Sequence, residues 1–219
     1  MFKSKPHDES MDEVGLTHEA MDLFSRGKFL SAEEKFQKVH DRFPFSPYAT
    51  LAELRLADCK FHEGEYEEAI GLYQEFEKLH PTNEAVPYVI FQEGNSYYRM
   101  MDTPDRDQNN AKKLIEIMER LTKRFPDSPY DFQARRMIAE ARENLAQNNV
   151  VIAKWYMKVD KDRQAKKRLE YVVNQYPETK SAFEAERLLR KLGVNNENAA
   201  LSEEKKKKEP FWKRAIPFI

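Results

Sequence analysis

A proline recurs at the end of four apolar stretches of this chain, and what precedes it is the same each time. Counting back from Pro44, Pro81, Pro126 and Pro177, a small or aliphatic residue stands twelve positions earlier and a large apolar one eight earlier. The pairs are Ala32 with Phe36, Ala69 with Tyr73, Leu114 with Met118, and Ala165 with Leu169. An offset of four places both side chains on one face of a helix. Proline then ends the helix, because it lacks an N–H and pushes the preceding residue out of the helical region. Twelve residues before the first member of each pair fall Ala20, Ala57 and Ala153, with Gly94 in that place in the third unit after an insertion of eight. Small residues there let a partner helix approach closely.

The text around the prolines repeats as well. Phe43-Pro44-Phe45-Ser46-Pro47-Tyr48 returns as Phe125-Pro126-Asp127-Ser128-Pro129-Tyr130, with a related Pro81 to Tyr88 between them. This pattern resembles the tetratricopeptide repeat, a helix–turn–helix of about 34 residues closing on Ala-x3-Phe and Pro. The spacings between closing prolines are 37, 45 and 51. The first is a repeat with slightly long turns, the second carries the insertion, and the third has room for a helix beyond a single pair. The expectation is an all-α tetratricopeptide-repeat superhelix of about five helical hairpins. Ten helices are predicted near 11–26, 29–42, 47–62, 66–79, 85–101, 107–124, 129–146, 148–159, 162–175 and 180–192. Acidic residues at starts, as in Glu67-Glu68, and basic ones at ends, as in Lys123-Arg124, suit the helix dipole. The hairpins stack because none can bury its apolar face alone. Three regions follow: a linker over 1–10, the repeat domain over 11–193 and a charged, aromatic tail over 194–219.

Composition narrows the function. With 37 Lys+Arg against 38 Asp+Glu the net charge is -1, so the general electrostatic attraction to nucleic acid is missing outside the last fifteen residues. Six glycines supply neither the turns of a many-stranded β protein nor a phosphate-cradling loop. The single cysteine, Cys59, excludes an internal disulfide and a Cys-based metal site. No apolar run approaches the ~20 residues that cross a bilayer, and the residues from Met1 to Pro6 read as no export signal. Five histidines, His7, His18, His40, His62 and His80, are scattered without ligand spacing, and no nucleophile motif accompanies them. The chain is therefore expected to be no enzyme and to need no cofactor or metal; a hydrolase or transferase using the groove lacks its constellation.

A stack of such hairpins usually holds another polypeptide. The first helix of each pair lines the concave face, which offers Asp58, Phe61 and His62 in the second unit and Tyr88, Phe91, Asn95, Tyr98 and Arg99 in the third. Rings bury area at small entropic cost while amide and cationic groups fix a peptide backbone and its terminus. The alternative is that Phe61, Phe91 and Tyr98 are core between neighbouring units. In the tail, Lys205–Lys208 followed by Phe211, Trp212 and Phe218 admits disorder, an anionic membrane surface, or docking on a partner subunit.

At the level of whole segments the chain resembles the BamD family, lipoproteins of the machinery that inserts β-barrels into bacterial outer membranes. The resemblance rests on Phe43 to Tyr48, His80-Pro81 before Tyr88-Val89, the loop Asp105-Arg106-Asp107-Gln108, and Tyr130 with Arg135-Arg136. It continues through Ala153 and Tyr156 to Arg168-Leu169-Glu170 and Tyr176-Pro177-Glu178-Thr179, and so covers about residues 16–193. It implies a non-catalytic assembly subunit on the periplasmic side of the outer membrane. Its expected partners are BamA, through Arg168 and Glu170, other machinery subunits, and unfolded β-barrel clients in the groove. Family members carry a signal peptide and a lipidated cysteine, so attachment is expected through an N-terminal lipid absent from this chain. A periplasmic repeat adaptor for other envelope or division proteins would share the Phe-Pro motifs.

Overall fold

The computed structural model describes residues 11–193, all in helices and the short turns that join them. The helices are α1 (Glu13–Ser25), α2 (Phe29–Arg42), α3 (Pro47–Glu63), α4 (Tyr66–Leu79), α5 (Val86–Arg99), α6 (Asn109–Arg124), α7 (Asp131–Lys158) and α8 (Asp162–Gln175). A further helix, α9, covers 180–193. The fold is all-α, built of tetratricopeptide-type hairpins, and from α1 to α6 each helix packs chiefly on the next.

The repeat is visible in the backbone. Phe43, His80, Phe125 and Tyr176 each precede a closing proline and each caps a helix, with φ between -125 and -135 and ψ between 48 and 65. Such angles lie outside the helical region, as a following proline requires. Each of the four donates its N–H to the residue four back, and each carbonyl accepts from the residue three ahead: Ser46, Asn83, Ser128 and Thr179. In two turns a serine then starts the next helix. Ser46 Oγ accepts from the Tyr48 N–H and Ser128 Oγ from that of Tyr130; in the first, Pro47 holds the opening helical position, where its missing donor costs nothing. Gly64 ends α3 in the left-handed region at φ 85, which a residue with a side chain enters only under strain.

All eight residues of the four spaced pairs are fully buried, and so are Ala20, Ala57 and Ala153. At Gly94 a Cβ would stand 2.6 Å from Met118 Cε, so the Met118 side chain of α6 fills the space beside α5 that a larger residue would need.

One expectation fails. The predicted helices 129–146 and 148–159 are a single helix, α7, of 28 residues. The spacing of 51 is read as room for a separate helix, yet Asn148 and Asn149, residues that compete for backbone hydrogen bonds, leave α7 unbroken. Here that competition is resolved within the helix and nearby: Asn149 donates to the Leu145 carbonyl one turn back, and Asn148 donates to the Pro104 carbonyl at 2.6 Å. No glycine or proline interrupts the stretch.

The described residues form two compact units. The first holds residues up to Asp102 with Gln108–Ala141, and the second holds Thr103–Asp107 with the residues from Arg142 onward. In the first unit Phe36, Val39, Ala52 and Leu56 make one apolar cluster, and Ala57, Phe61, Ala69, Tyr73 and Phe76 make another. In the second, Val150, Ala153, Leu169, Val172 and Ala185 form the core.

Candidate interaction site

Within the first unit the polar residues named from the sequence converge on one buried carboxylate. Asp58 of α3 is fully buried. Its Oδ1 accepts from the Tyr73 hydroxyl of α4 and the Tyr88 hydroxyl of α5, both at 2.8 Å, while Arg55 donates to Oδ2 at 2.6 Å. The chain of bonds runs on along α5: Gln92 donates to the Tyr88 hydroxyl, and Asn95 donates to Gln92 Oε1. Burial and the adjacent Asp58 charge hold both tyrosine hydroxyls protonated well above the ordinary phenol range. A buried charge is tolerable only when its lone pairs are filled, and Asp58 has three donors from three helices. The network thus fixes how the second and third hairpins meet.

The aromatic residues divide. Phe61 and Phe91 are buried, Phe61 edge-on to Tyr66 and Phe91 stacked on Tyr130 with centroids 4.9 Å apart. His62 is exposed and lies flat against Phe29, with centroids 4.5 Å apart and Phe24 edge-on beside it. Tyr98 is half-buried and donates to Glu140 Oε2 at 2.5 Å, and that bond, with burial, raises its hydroxyl's pKa. Arg99 is exposed. The sequence reading gave no site role to Arg55, Tyr73, Gln92, Tyr130 or Glu140, of which Tyr73 and Tyr130 entered it only as repeat and motif positions. Only Tyr73 left a trace of such a role, as an amphipathic side chain where the other repeats carry a purely apolar one.

A second network crosses α4, α5 and α6. Glu93, almost wholly buried, accepts from Gln74 at 2.7 Å and from Arg120 at 2.6 Å; Arg120 also grips Glu77 through both carboxylate oxygens, and Arg124 joins Glu77 at 2.7 Å. The carboxylates and guanidinium groups of this cluster pair with one another across three helices and so tie α4, α5 and α6 together.

In the second unit Arg168 of α8 is exposed and uses one Nη1 to donate to the buried Asn149 of α7 at 3.0 Å. Glu170 is exposed and 3.8 Å from Lys166. Arg142 pairs with Glu178, and Glu143 accepts from the Lys180 N–H and the Ser181 hydroxyl, which seats the start of α9. The tail residues Phe211, Trp212 and Phe218 lie outside the described residues. Among the described residues no three His, Cys, Asp or Glu are grouped to hold a metal ion, and no helix is long and apolar enough to cross a membrane.

Residues 9–210 match the family described as YfiO, outer membrane lipoprotein. The chain belongs to that family. Among curated relatives, the outer membrane protein assembly factor BamD of Rickettsia prowazekii is 28% identical over 170 residues, covering 78% of this chain and 68% of its own. BamD of Vibrio cholerae is 25% identical over 177 residues, covering 76% and 73%. A solved tetratricopeptide repeat protein from Parabacteroides merdae superposes with a TM-score of 0.44 at 15% identity, over 90% of this chain and 80% of that one. The match to the YfiO family spans both compact units, and so takes in the Asp58 network of the first and the Arg168 neighbourhood of the second.

Proposed function

We propose that this chain is a non-catalytic subunit of the outer-membrane assembly machinery, which binds BamA through its second unit and unfolded β-barrel clients through its first. The observation that carries the reading is membership of the YfiO lipoprotein family over almost the whole length, together with relatives named as assembly factors. An anchoring lipid at the N-terminal side would place it on the periplasmic face of the outer membrane. The helices then serve as a rigid holder, and the work is done by contacts.

For the BamA contact the assigned residues are Arg168 and Glu170. Arg168 is supported by its exposure: the bond to Asn149 occupies one of five donors, leaving a planar fork suited to a carboxylate on a partner. For clients, His62, Asn95, Tyr98 and Arg99 supply the accessible groups, while Asp58, Phe61, Tyr88 and Phe91 set the surface beneath them. Client segments with an aromatic terminus should bind weakly, since ordering a flexible chain consumes much of the contact energy. Phe211, Trp212 and Phe218 are assigned to docking on a partner subunit.

The two contacts are tested separately. Arg168→Glu should lose BamA in a titration, and Glu170→Lys, which breaks no internal bond to Asn149, should weaken it independently with circular dichroism unchanged. Parental affinity in both would remove the assignment. For the groove, a labelled peptide ending in Phe should lose affinity with Arg99→Ala and with Tyr98→Ala. Equal binding by both variants, or by a peptide ending in Ser, would mean that clients dock elsewhere.

A further inference from the structure

A cavity of about 160 Å³ opens among α2, α3 and α4, on residues that take no part in the Asp58 network and to which the proposed function gives no role. Its floor is apolar: Leu56 and Phe76 are buried, Leu72 is half-buried, and Leu79 stands at the edge with 56% of its surface exposed. Its remaining lining is polar and carries two carboxylates, Glu53 and Glu75, with Gln37 and His40. Glu53 is braced from two sides. His80 Nε2 lies 2.6 Å from its Oε2, and His40 Nε2 lies 3.5 Å from its Oε1. His40 in turn contacts Asp41, which accepts from Gln37 at 2.8 Å. Glu75, one turn before Leu79 on α4, is exposed.

An apolar floor of this size is comparable to a cavity of about 150 Å³ that accepts a benzene ring. A purely apolar guest, though, would desolvate both carboxylates, and while Glu53 keeps its His80 contact, Glu75 would be given no donor, which is costly for a charge. The complementary guest has a hydrocarbon stem for the leucines and Phe76 and a cationic donor head for the carboxylates. A guanidinium fits better than an ammonium, since its planar fork reaches several fixed acceptors at once. We propose that the Leu56–Leu72–Phe76–Leu79 cavity, with its Glu53 and Glu75 rim, is a receptor for an arginine side chain of a partner polypeptide. The site lies on the second helices α2 and α4 and their packing against α3, and none of its lining residues is among those assigned to the client groove. The inference goes beyond the proposed function and does not depend on it.

The test uses the full chain with ¹³C-labelled leucine methyls and n-butylguanidinium as the probe. Saturable shifts are expected at Leu56, Leu72 and Leu79 and not at Leu169 or Leu192, with a dissociation constant on the order of millimolar for so small a ligand. Uncharged n-butylurea should bind at least fivefold more weakly, and Glu75→Gln should weaken the guanidinium at least threefold without disturbing the remaining spectrum. Raising the salt from 50 mM to 500 mM should weaken it further. Equal shifts from the urea, parental binding by Glu75→Gln, or no saturable shift at these leucines would each overturn the proposal. Glu53→Gln should lower affinity in the same direction. If it disturbs the His80 and His40 contacts as well, the Glu75 result decides.

Discussion

Individual residues here are placed by whether their polar atoms find partners, and Glu63 shows the consequence of failing. Its side chain is only 10% exposed, and neither carboxylate oxygen has a hydrogen-bond donor. Lys60 lies 3.9 Å away but serves Glu65, Glu33 and Glu68 at 2.6, 3.1 and 3.3 Å first. Burial, with the Glu33 charge adding to it, raises the pKa of Glu63 above the ordinary carboxylate value. A carboxyl whose folded pKa is raised binds its proton more readily folded than unfolded. Its contribution to stability therefore grows as pH falls from neutral through the folded pKa, and levels off below the unfolded value near ~4.3. Glu63→Gln should accordingly stabilise the protein by about 1 kcal/mol at pH 7, read as a higher melting midpoint. The gain should shrink at pH 4.5, where the parent carboxyl takes up its proton. A variant less stable than the parent at pH 7 would show that Lys60 outweighs burial.

Among elements, the decisive quantity is how closely two helices approach. Ala69 of α4 is fully buried in the cluster containing Ala57 and Tyr73. Ala69→Leu adds bulk where no void receives it and should cost about 1–3 kcal/mol; an unchanged melting midpoint would mean that the repeat register is wrong. In α7 the relevant quantity is continuity. Gln147 is exposed near the middle of the helix, so Gln147→Pro removes no packed side chain but breaks a backbone bond and clashes one turn back, at about 3 kcal/mol or more. Hydrogen exchange should rise on both sides of 147. Full protection would mean that a break is tolerated at 147, where the two predicted helices 129–146 and 148–159 were to part.

For the molecule as a whole, the two compact units have separate apolar clusters, and stability in such repeats is roughly a sum of local terms. Leu169 is fully buried in the second unit. Leu169→Ala should cost about 2–5 kcal/mol, and faster exchange should appear in α8 and α9 while α3 and α4 keep their protection. An equal rise in α3 would instead mean that all the described helices unfold together.

The sequence by itself determined the repeat: proline punctuation, small residues at helix contacts and the −12 and −8 positions are local chemistry, read in the order in which the chain runs. It also carried the likeness to the BamD family, which the match over residues 9–210 bears out. What it left undecided depends on partners far apart in the chain. Asp58 stands 15 residues from Tyr73 and 30 from Tyr88, and nothing near it announces that its carboxylate is a buried hub. Phe61 and Phe91 could be read as groove or core until Tyr66 and Tyr130 were placed against them. The break predicted at 147 is absent from α7, in which Asn148 finds an acceptor at Pro104, 44 residues back, and Asn149 one at Leu145. Periodicity reports which face of a helix is apolar. Only tertiary packing decides which helix covers it, and therefore which polar groups are paired, which are stranded and which face a ligand.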